Sequence, residues 1–322
     1  MAWALYLRQK DFYRKAMQQT LKSPVSAQGV GLHSGQQISM TIRPAREDNG
    51  IVFVRTDILG HDNVIPALWD HVVDTRLCTV IGNDSGATVG TVEHLMAALR
   101  GCGIDNAVVE LDGGEVPIMD GSADPFVQMI DEAGIAAQGL PRRAIRVLRE
   151  VSVEQDGKVV RLSPSESSVF SGAIDFNHPQ IGRQSYETQL MNGNFRHDIA
   201  NCRTFGFLHE VEWMRSQGLA LGGSLDNAIL LDKESVVNPG GLRREDEFIR
   251  HKLLDAIGDL YLAGGVILGA YDGHKAGHAM NNAILKALFA DERNWEIVDD
   301  FGGESRVSAP VRVRAEKVLA TA

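Results

Sequence analysis

The segment EFIRHKLLDAIGDL, residues 247–260, has two different faces when it is placed on a helix. At about 100° per residue, a set of apolar side chains in and just after it falls within one arc that would face a core. These are Ile249, Leu253, Leu254, Ile257, Leu260 and Tyr261. His251, Asp255 and Asp259 follow a separate stripe at i, i+4 and i+8. The spacing therefore predicts a helix with an apolar face and a polar one.

Two interpretations of the polar stripe are open. On a solvated helix face, a His251–Asp255 pair one turn apart would contribute only about 0.2–0.5 kcal/mol. Alternatively, His251 and Asp255 are two ligands of one metal ion, like the two histidines of a helical H-E-x-x-H motif. The second interpretation requires a third ligand elsewhere in the chain.

A second predicted helix, TVEHLMAALR at residues 91–100, contains the titratable pair Glu93 and His94 near its start. Its apolar residues recur at helical spacing, with Thr91 as the expected N-cap and Gly101 as the expected stop. Taken alone, the pair favours an exposed first turn that complements the helix dipole.

The two helices together provide the ligands of one possible metal site. His94, His251 and Asp255 supply three nitrogen or oxygen ligands, the number found in a catalytic zinc site that leaves its fourth position to water. Glu93 would then lie beside that water as its general base. The two histidines fall on opposite sides of the domain boundary expected below, so the site would lie between domains, a common place for small-molecule sites.

His278, within KAGHAMNN at residues 275–282, begins a further predicted helix. A lone histidine at such a position is most often a capping or packing residue. If it lies near Asp259, the carboxylate would favour the imidazolium form. His278 would then serve as a general acid or as a partner of an oxyanion, with Asp259 as its orienting group.

The composition is that of a globular protein with an acidic balance. The chain has 322 residues, of which 44% are hydrophobic and 23% charged, and a formal net charge of −10. This length favours two domains. The negative charge argues against a nucleic-acid partner, because phosphate binding requires a positive field. Three cysteines without C-x-x-C spacing favour a reducing cytoplasm, and no apolar run reaches the ~18–20 residues of a membrane span.

Strand-like segments precede helices in each half of the chain. The early strands are expected at SMTIRP (39–44), NGIVFVRTD (49–57), TRLCTVIG (75–82) and NAVVELDG (106–113). The pattern breaks at GLPRRA, residues 139–144, and a hairpin turned at Asp156–Gly157 follows. An α+β fold with helices layered on sheets is therefore expected. Its domains are expected at residues 18–141 and 142–305.

Nine segments in this order resemble motifs of the UDP-3-O-acyl-N-acetylglucosamine deacetylases, the zinc amidases of lipid A biosynthesis in Gram-negative bacteria. The segments are GVGLHSG (29–35), TVEHLMAAL (91–99), GIDN (103–106), PIMDGSADPF (117–126), IDFNHP (174–179), CRTFGF (202–207), LALGGSLDNAI (219–229), DEFIRHKLLDAIGDL (246–260) and GHAMNN (277–282). The resemblance implies two similar domains, each a five-stranded sheet under two helices, with the active site and an acyl-chain passage between them.

The resemblance also implies residue roles. His278, oriented by Asp259, handles the developing charge or protonates the leaving amine. Thr204 in CRTFGF matches the family's hydroxyl donor to the oxyanion, and Lys252 is a further cation beside the metal. The general base and the ligands of Zn²⁺ are the residues already inferred from spacing, namely Glu93 and then His94, His251 and Asp255.

The family's substrate-binding positions can also be matched. Segment 205–230 resembles the insert that forms the apolar passage. Its matching positions are Phe205, Val211, Ala220 and Ser224. Phe176 and Lys275 resemble positions near the uridine and the diphosphate. For both groups a simple core or surface role stays open, and so does the preferred acyl-chain length.

The expected reaction is hydrolysis of the acetamide of UDP-3-O-acyl-N-acetylglucosamine, the committed step of lipid A biosynthesis, by a cytoplasmic monomer. One alternative is a zinc amidase for another N-acyl sugar or amino acid. The other is a non-catalytic sugar-nucleotide-binding protein with a structural metal. Residues 1–16 have no counterpart in the family, so Met17 is expected to be the natural start.

Overall fold

The computed structural model describes residues 16–60, 62–190 and 193–298. Residues 1–15 lie outside the described residues, and the expected start at Met17 concerns this segment. Residues 299–305 of the second expected domain also lie outside them. The helices are α1 (Glu93–Cys102), α2 (Asp124–Ala133), α3 (Asn194–Asp198), α4 (Leu208–Ser216), α5 (Glu247–Tyr261) and α6 (His278–Phe289). Short 3-10 helices lie at Trp69–His71 and Glu292–Asn294.

The first half of the described chain, residues 16–141, is built on one five-stranded sheet. Its strands are β1 (Met17–Leu21), β2 (Val25–Val30), β3 (Gln37–Pro44), β4 (Ile51–Arg55), β5 (Val64–Pro66), β6 (Val72–Asp74), β7 (Val80–Gly82), β8 (Thr88–Val89), β9 (Ala107–Leu111) and β10 (Ile135–Pro141). The main sheet has the order β2-β3-β9-β4-β5, and only the β4–β9 pair is parallel. Smaller sheets are formed by β6-β7-β8 and by β1 with β10.

The second half, residues 142–298, contains a seven-stranded sheet. The strands of this half are β11 (Ala144–Val147), β12 (Val151–Gln155), β13 (Lys158–Pro164), β14 (Ser168–Phe176), β15 (Gly182–Gln189), β16 (Phe205–Phe207), β17 (Ile229–Leu231), β18 (Val266–His274) and β19 (Trp295–Val298). Neighbours pair as β12-β13-β18-β14-β15, and β14–β18 is the parallel pair of this run. β11 and β19 extend the sheet, and β16 pairs with β17.

The two halves share one topology. In each, the central strand is antiparallel to its neighbour on one side and parallel to its neighbour on the other. Each of these neighbours pairs in turn with one further antiparallel strand. The central strand of each half, β9 or β18, is preceded by one helix and followed by another. The expected α+β fold of two similar domains layered with helices is therefore confirmed. The hairpin turn is also confirmed, with Asp156 and Gly157 both at positive φ between β12 and β13.

Helices α1 and α5 cross in close backbone contact between the halves. A Cβ atom on Gly258 would lie 1.9 Å from the carbonyl oxygen of Glu93 and 3.1 Å from the nitrogen of Ala97. No larger residue fits here, so Gly258 allows α5 to approach α1 this closely. The crossing brings the polar stripe of α5 against the first turn of α1.

The ends of α1 differ from those expected. Thr91 is not its N-cap, because the residue has a φ of 57° and its hydroxyl donates to Glu115 Oε1 at 2.9 Å. Gly101 is not its stop either: the helix continues to Cys102, and Gly103 takes the left-handed conformation that ends it. The Thr91 hydroxyl is used by Glu115 and so does not cap the helix, and Gly103 satisfies the same stop rule two residues after Gly101.

The strand expected at residues 75–82 is wrong over most of its length. Only Val80–Gly82 is a strand. The Asp74 carboxylate accepts a hydrogen bond from the backbone nitrogen of Arg76, which turns the chain. The backbone N–H of Thr79 donates to the Glu93 side chain instead of to a neighbouring strand. The described helices include none whose length and apolar character would suffice to span a bilayer.

Candidate metal centre and active site

Three side chains from α1 and α5 converge at the crossing of the two helices. His94, His251 and Asp255 each offer a ligand atom, and these atoms lie within 4.8 Å of one another. His251 Nε2 and His94 Nε2 lie 3.3 and 3.5 Å from Asp255 Oδ1. The three residues are 3%, 1% and 2% exposed, respectively. This burial rules out the solvated-face interpretation of the α5 stripe.

The donor atoms have the hydrogen bonding and protonation states that cation binding requires. Asp255 Oδ1 is buried and accepts no hydrogen bond within the described residues, an arrangement that costs free energy unless a cation binds there. His251 Nδ1 donates to the carbonyl oxygen of Cys202 at 3.0 Å, which leaves Nε2 as the lone-pair donor. Burial lowers the pKa of His251 to about 3, so the imidazole is neutral, as a metal ligand must be. Two imidazoles and one carboxylate therefore fit a divalent metal ion.

Lys252 lies beside this donor set. Its Nζ donates to Asp255 Oδ2 at 2.9 Å, on the carboxylate oxygen that does not face the imidazoles. Burial alone would raise the pKa of Asp255, but neighbouring positive charge, including the Lys252 ammonium, holds it well below its ordinary value. Asp255 is therefore an anionic donor at neutral pH.

Glu93 lies at the first turn of α1, next to His94. Its Oε2 accepts a hydrogen bond from the backbone N–H of Thr79 at 3.1 Å, and its Oε1 lies 3.8 Å from His278 Nε2. Burial raises the pKa of Glu93, and the nearby imidazoles His278 and His94 lower it in part. A buried carboxylate with a raised pKa suits proton transfer.

His278 begins α6 and contacts Asp259 of the α5 stripe. His278 Nδ1 donates to Asp259 Oδ2 at 2.9 Å, and Asn281 Nδ2 donates to the same oxygen at 2.8 Å. Burial alone would lower the pKa of His278, but the carboxylates of Asp259 and Glu93 raise it to about 9. At neutral pH the imidazole is therefore protonated and able to donate a proton from Nε2.

A cavity of about 760 Å³ leads away from these groups through the segment expected to form the passage. The expected residues that line it are Thr204, Phe205, Val211, Ala220, Ser224, Lys252 and His278. Phe176 and Lys275 are not among the described residues that line this cavity. The Phe176 ring lies 5.7 Å from the Phe205 ring, and Lys275 Nζ pairs with Asp175 Oδ2 at 3.0 Å.

Several residues of the site were not singled out from the sequence. His33 lines the cavity, and both of its ring nitrogens are buried without a hydrogen-bond partner among the described residues. The Cys202 carbonyl and Asn281 hold His251 and Asp259 in place. These three residues lie within the segments that resemble family motifs, so the motifs were their only signal. Thr79 carried none.

Comparison with known proteins is consistent with this site. The family model LpxC, described as UDP-3-O-acyl N-acetylglycosamine deacetylase, matches residues 18–290. A curated UDP-3-O-acyl-N-acetylglucosamine deacetylase of Chromohalobacter salexigens is 51% identical over 285 residues, 87% of this chain and 93% of the relative. Proteins of the same name from Phenylobacterium zucineum and Shewanella loihica are 50% and 47% identical, over 87% and 94% of this chain and 96% and 99% of theirs. The chain therefore belongs to the UDP-3-O-acyl-N-acetylglucosamine deacetylase family.

Proposed function

We propose that this protein hydrolyses the N-acetyl group of UDP-3-O-acyl-N-acetylglucosamine to give UDP-3-O-acyl-glucosamine and acetate, the committed step of lipid A biosynthesis. The observation that carries the proposal is the convergence of three buried metal-binding side chains with Glu93 and with His278, which lines a large cavity. The names of the curated relatives support the substrate. Zn²⁺ is the proposed metal, because two imidazoles and a carboxylate are a known donor set for catalytic zinc.

We assign the metal to His94, His251 and Asp255. When bound, it would polarise the acetamide carbonyl and lower the pKa of a water molecule. Glu93 accepts the proton of the attacking water as the new C–O bond forms. His278 donates its Nε2 proton to the nitrogen as the C–N bond breaks, which releases the amine and acetate.

Two further side chains are proposed to stabilise the oxyanion. Thr204 lines the cavity and would donate its hydroxyl proton to the oxygen that becomes negatively charged. Lys252 also lines the cavity and adds a positive charge. Both groups stabilise charge that develops only in the transition state, so their loss is expected to lower kcat more than it raises KM.

The acyl chain is proposed to occupy the cavity lined by the insert. Its walls include Phe205, Val211, Ala220 and Ser224. Phe176 and Lys275 are proposed to lie near the uridine and the diphosphate, outside this cavity. The proposed domains are residues 18–141 and 142–305, a division supported by β10, which pairs back to β1, and by β11, which joins the second sheet.

A cytoplasmic location is also proposed, supported by three buried cysteines that are all free. A monomer is proposed as the simplest assembly, and light scattering of the purified protein would test it. A dimer whose dissociation leaves acetate release unchanged would contradict only this part of the proposal.

The function is tested by measuring acetate release from the acylated UDP-sugar and from two analogues, one without UDP and one without the acyl chain. Rapid turnover of the full substrate alone is expected. Equal turnover of the truncated analogues would favour the broader amidase. Metal binding and UDP-sugar binding without any hydrolysis would favour the non-catalytic alternative.

Val211→Phe is expected to narrow the acyl passage. Each methylene that can no longer be buried costs about 0.8 kcal/mol, so displacing two of them raises KM by roughly tenfold. KM should therefore rise for a long-chain substrate and change little for a short-chain one. The matched control is Val237→Phe, since Val237 is exposed and does not line the cavity. Equal losses on both substrates would contradict an acyl chain in this passage.

The acid and base predict a bell-shaped pH profile of kcat/KM, because Glu93 has to be ionised while His278 has to be protonated. The rate falls at alkaline pH as the pH rises through the pKa of His278. Asp259→Asn removes a negative charge that raises this pKa, so the alkaline limb is expected to move to lower pH. A bound cation lowers the pKa values of Glu93 and His278 in the wild type and in the variant alike. The test is therefore the direction in which the alkaline limb moves between the two enzymes, not its absolute pH. A rate that rises monotonically with pH would contradict the assignment.

A further inference from the structure

Thr79 contacts two carboxylates of the site on different helices. It is 2% exposed and lies just before β7, in the turn where a strand had been expected. Its backbone N–H donates to Glu93 Oε2 at 3.1 Å, and its hydroxyl donates to Asp259 Oδ1 at 2.5 Å. One residue of the first half therefore holds the proposed base and also the carboxylate that orients the proposed acid.

The hydroxyl of Thr79 fixes the rotation of the Asp259 carboxylate. Asp259 Oδ2 already accepts hydrogen bonds from His278 and Asn281. Among the described residues, Thr79 is the only side chain that donates to Oδ1. The terminal torsion of an aspartate is soft, so a donor on each oxygen is needed to keep Oδ2 aimed at His278.

This alignment sets where the proton of His278 points. With Nδ1 held by Asp259, His278 Nε2 lies 3.8 Å from Glu93 Oε1, and Thr79 fixes the other oxygen of that same carboxylate. The acid and base are thus connected through Thr79 in a closed ring of contacts. Positioning of this kind lowers the barrier without adding a group that touches the substrate.

We infer that Thr79 is a positioning residue of the deacetylase reaction, which acts through its hydroxyl on Asp259. The inference rests on the proposed function, because it assigns no activity of its own. It extends the site to the small β6-β7-β8 sheet of the first half, which supplies no metal ligand. Asp259, from the other half, depends on that sheet for its orientation.

The test compares Thr79→Val with Thr79→Ser in the metal-loaded enzyme. Valine has nearly the shape of threonine and keeps the backbone N–H to Glu93, but it lacks the hydroxyl. We expect Thr79→Val to lower kcat by about tenfold or more, as for other positioning contacts, with little change in KM. Thr79→Ser restores the hydroxyl and should recover most of kcat. If Thr79→Val is insoluble, Thr79→Ala provides the same measurement.

The matched control is Thr20→Val. Thr20 is also buried, and its hydroxyl donates to the carbonyl oxygen of Asn106 and not to a carboxylate of the site. This variant should unfold at a lower temperature but keep the wild-type kcat. A kcat loss in Thr20→Val as large as in Thr79→Val would show that any buried threonine has this effect and would overturn the inference.

A double-mutant cycle with Asp259→Asn tests whether the Thr79 hydroxyl affects kcat through Asp259. If Thr79 acts through Asp259, the double variant has the kcat of Asp259→Asn alone. Multiplied losses, an unchanged kcat in Thr79→Val, or failure of Thr79→Ser to recover would each contradict the inference. A wild-type enzyme that releases no acetate would instead contradict the proposed function, so the two failures are distinguishable.

Discussion

Glu93→Gln is expected to lower kcat by about 10²–10⁴-fold, the range for loss of a general base, and to leave the bound metal in place. Glutamine has nearly the same shape and can still accept the hydrogen bond from Thr79, but it cannot take a proton. Burial disfavours the charged form of Glu93, as its raised pKa shows. The neutral amide should therefore fold at least as stably as the wild type.

The measurement pairs metal content with the rate of acetate release for each variant. Glu132→Gln, on the exposed face of α2, is the matched control and should have wild-type values for both. A Glu93→Gln enzyme with a kcat within a few-fold of the wild type would exclude Glu93 as the base. Loss of the metal would show instead that Glu93 is a ligand.

His251→Ala and Asp255→Ala are each expected to lose the metal together with the activity. Each change removes one of three donors, and the two that remain are too few for a stable site. The loss differs in kind from that in Glu93→Gln, which keeps its metal. Metal content after dialysis, measured by mass spectrometry, should fall from about one ion per chain to a small fraction of that value.

His178→Ala is the matched control for these variants. His178 is also buried in the second half, but its Nε2 bonds to the carbonyl oxygen of Asp232 and not to a carboxylate of the site. It should therefore retain the metal. Full metal content and full activity in His251→Ala would overturn the assignment of the donor set.

The part of the site carried by α5 could be predicted because one helix imposes a fixed spacing. His251, Asp255 and Asp259 share a face at i, i+4 and i+8 whatever the rest of the fold does. Which partners that face meets is decided by tertiary contacts. The donor His94 was joined to the stripe through the chemistry of a three-ligand site, and the resemblance to a family supported the same set.

Other features depend on contacts that no local pattern reveals. Gly258 is a poor helix former within a helix-forming sequence, and only its close backbone contact with Glu93 explains why glycine is required there. Thr79 lies within an alternating segment that predicts a strand, yet its hydrogen bonds go to two carboxylates. Local propensity favours a strand here, but the hydrogen bond from the Arg76 backbone nitrogen to the Asp74 carboxylate turns the chain.

The structure bears unequally on the ligand positions expected beyond the catalytic groups. Val211 and Ala220 line the cavity as the resemblance implied, since both belong to one contiguous insert. Phe176 is the last residue of β14 and Lys275 follows the end of β18, and the resemblance gave no distance between them and the cavity. Their side chains contact Phe205 and Asp175, and their expected place near the uridine and the diphosphate stays a prediction.

Anomalous diffraction from crystals of the purified enzyme at the zinc absorption edge tests the central claim most directly. We expect one strong peak per chain at bonding distance, about 2.0–2.2 Å, from His94 Nε2, His251 Nε2 and Asp255 Oδ1. Such a peak would show that two helices from different halves bind one ion. Fully active crystals with no peak there, or with the metal bound at other residues, would contradict the account.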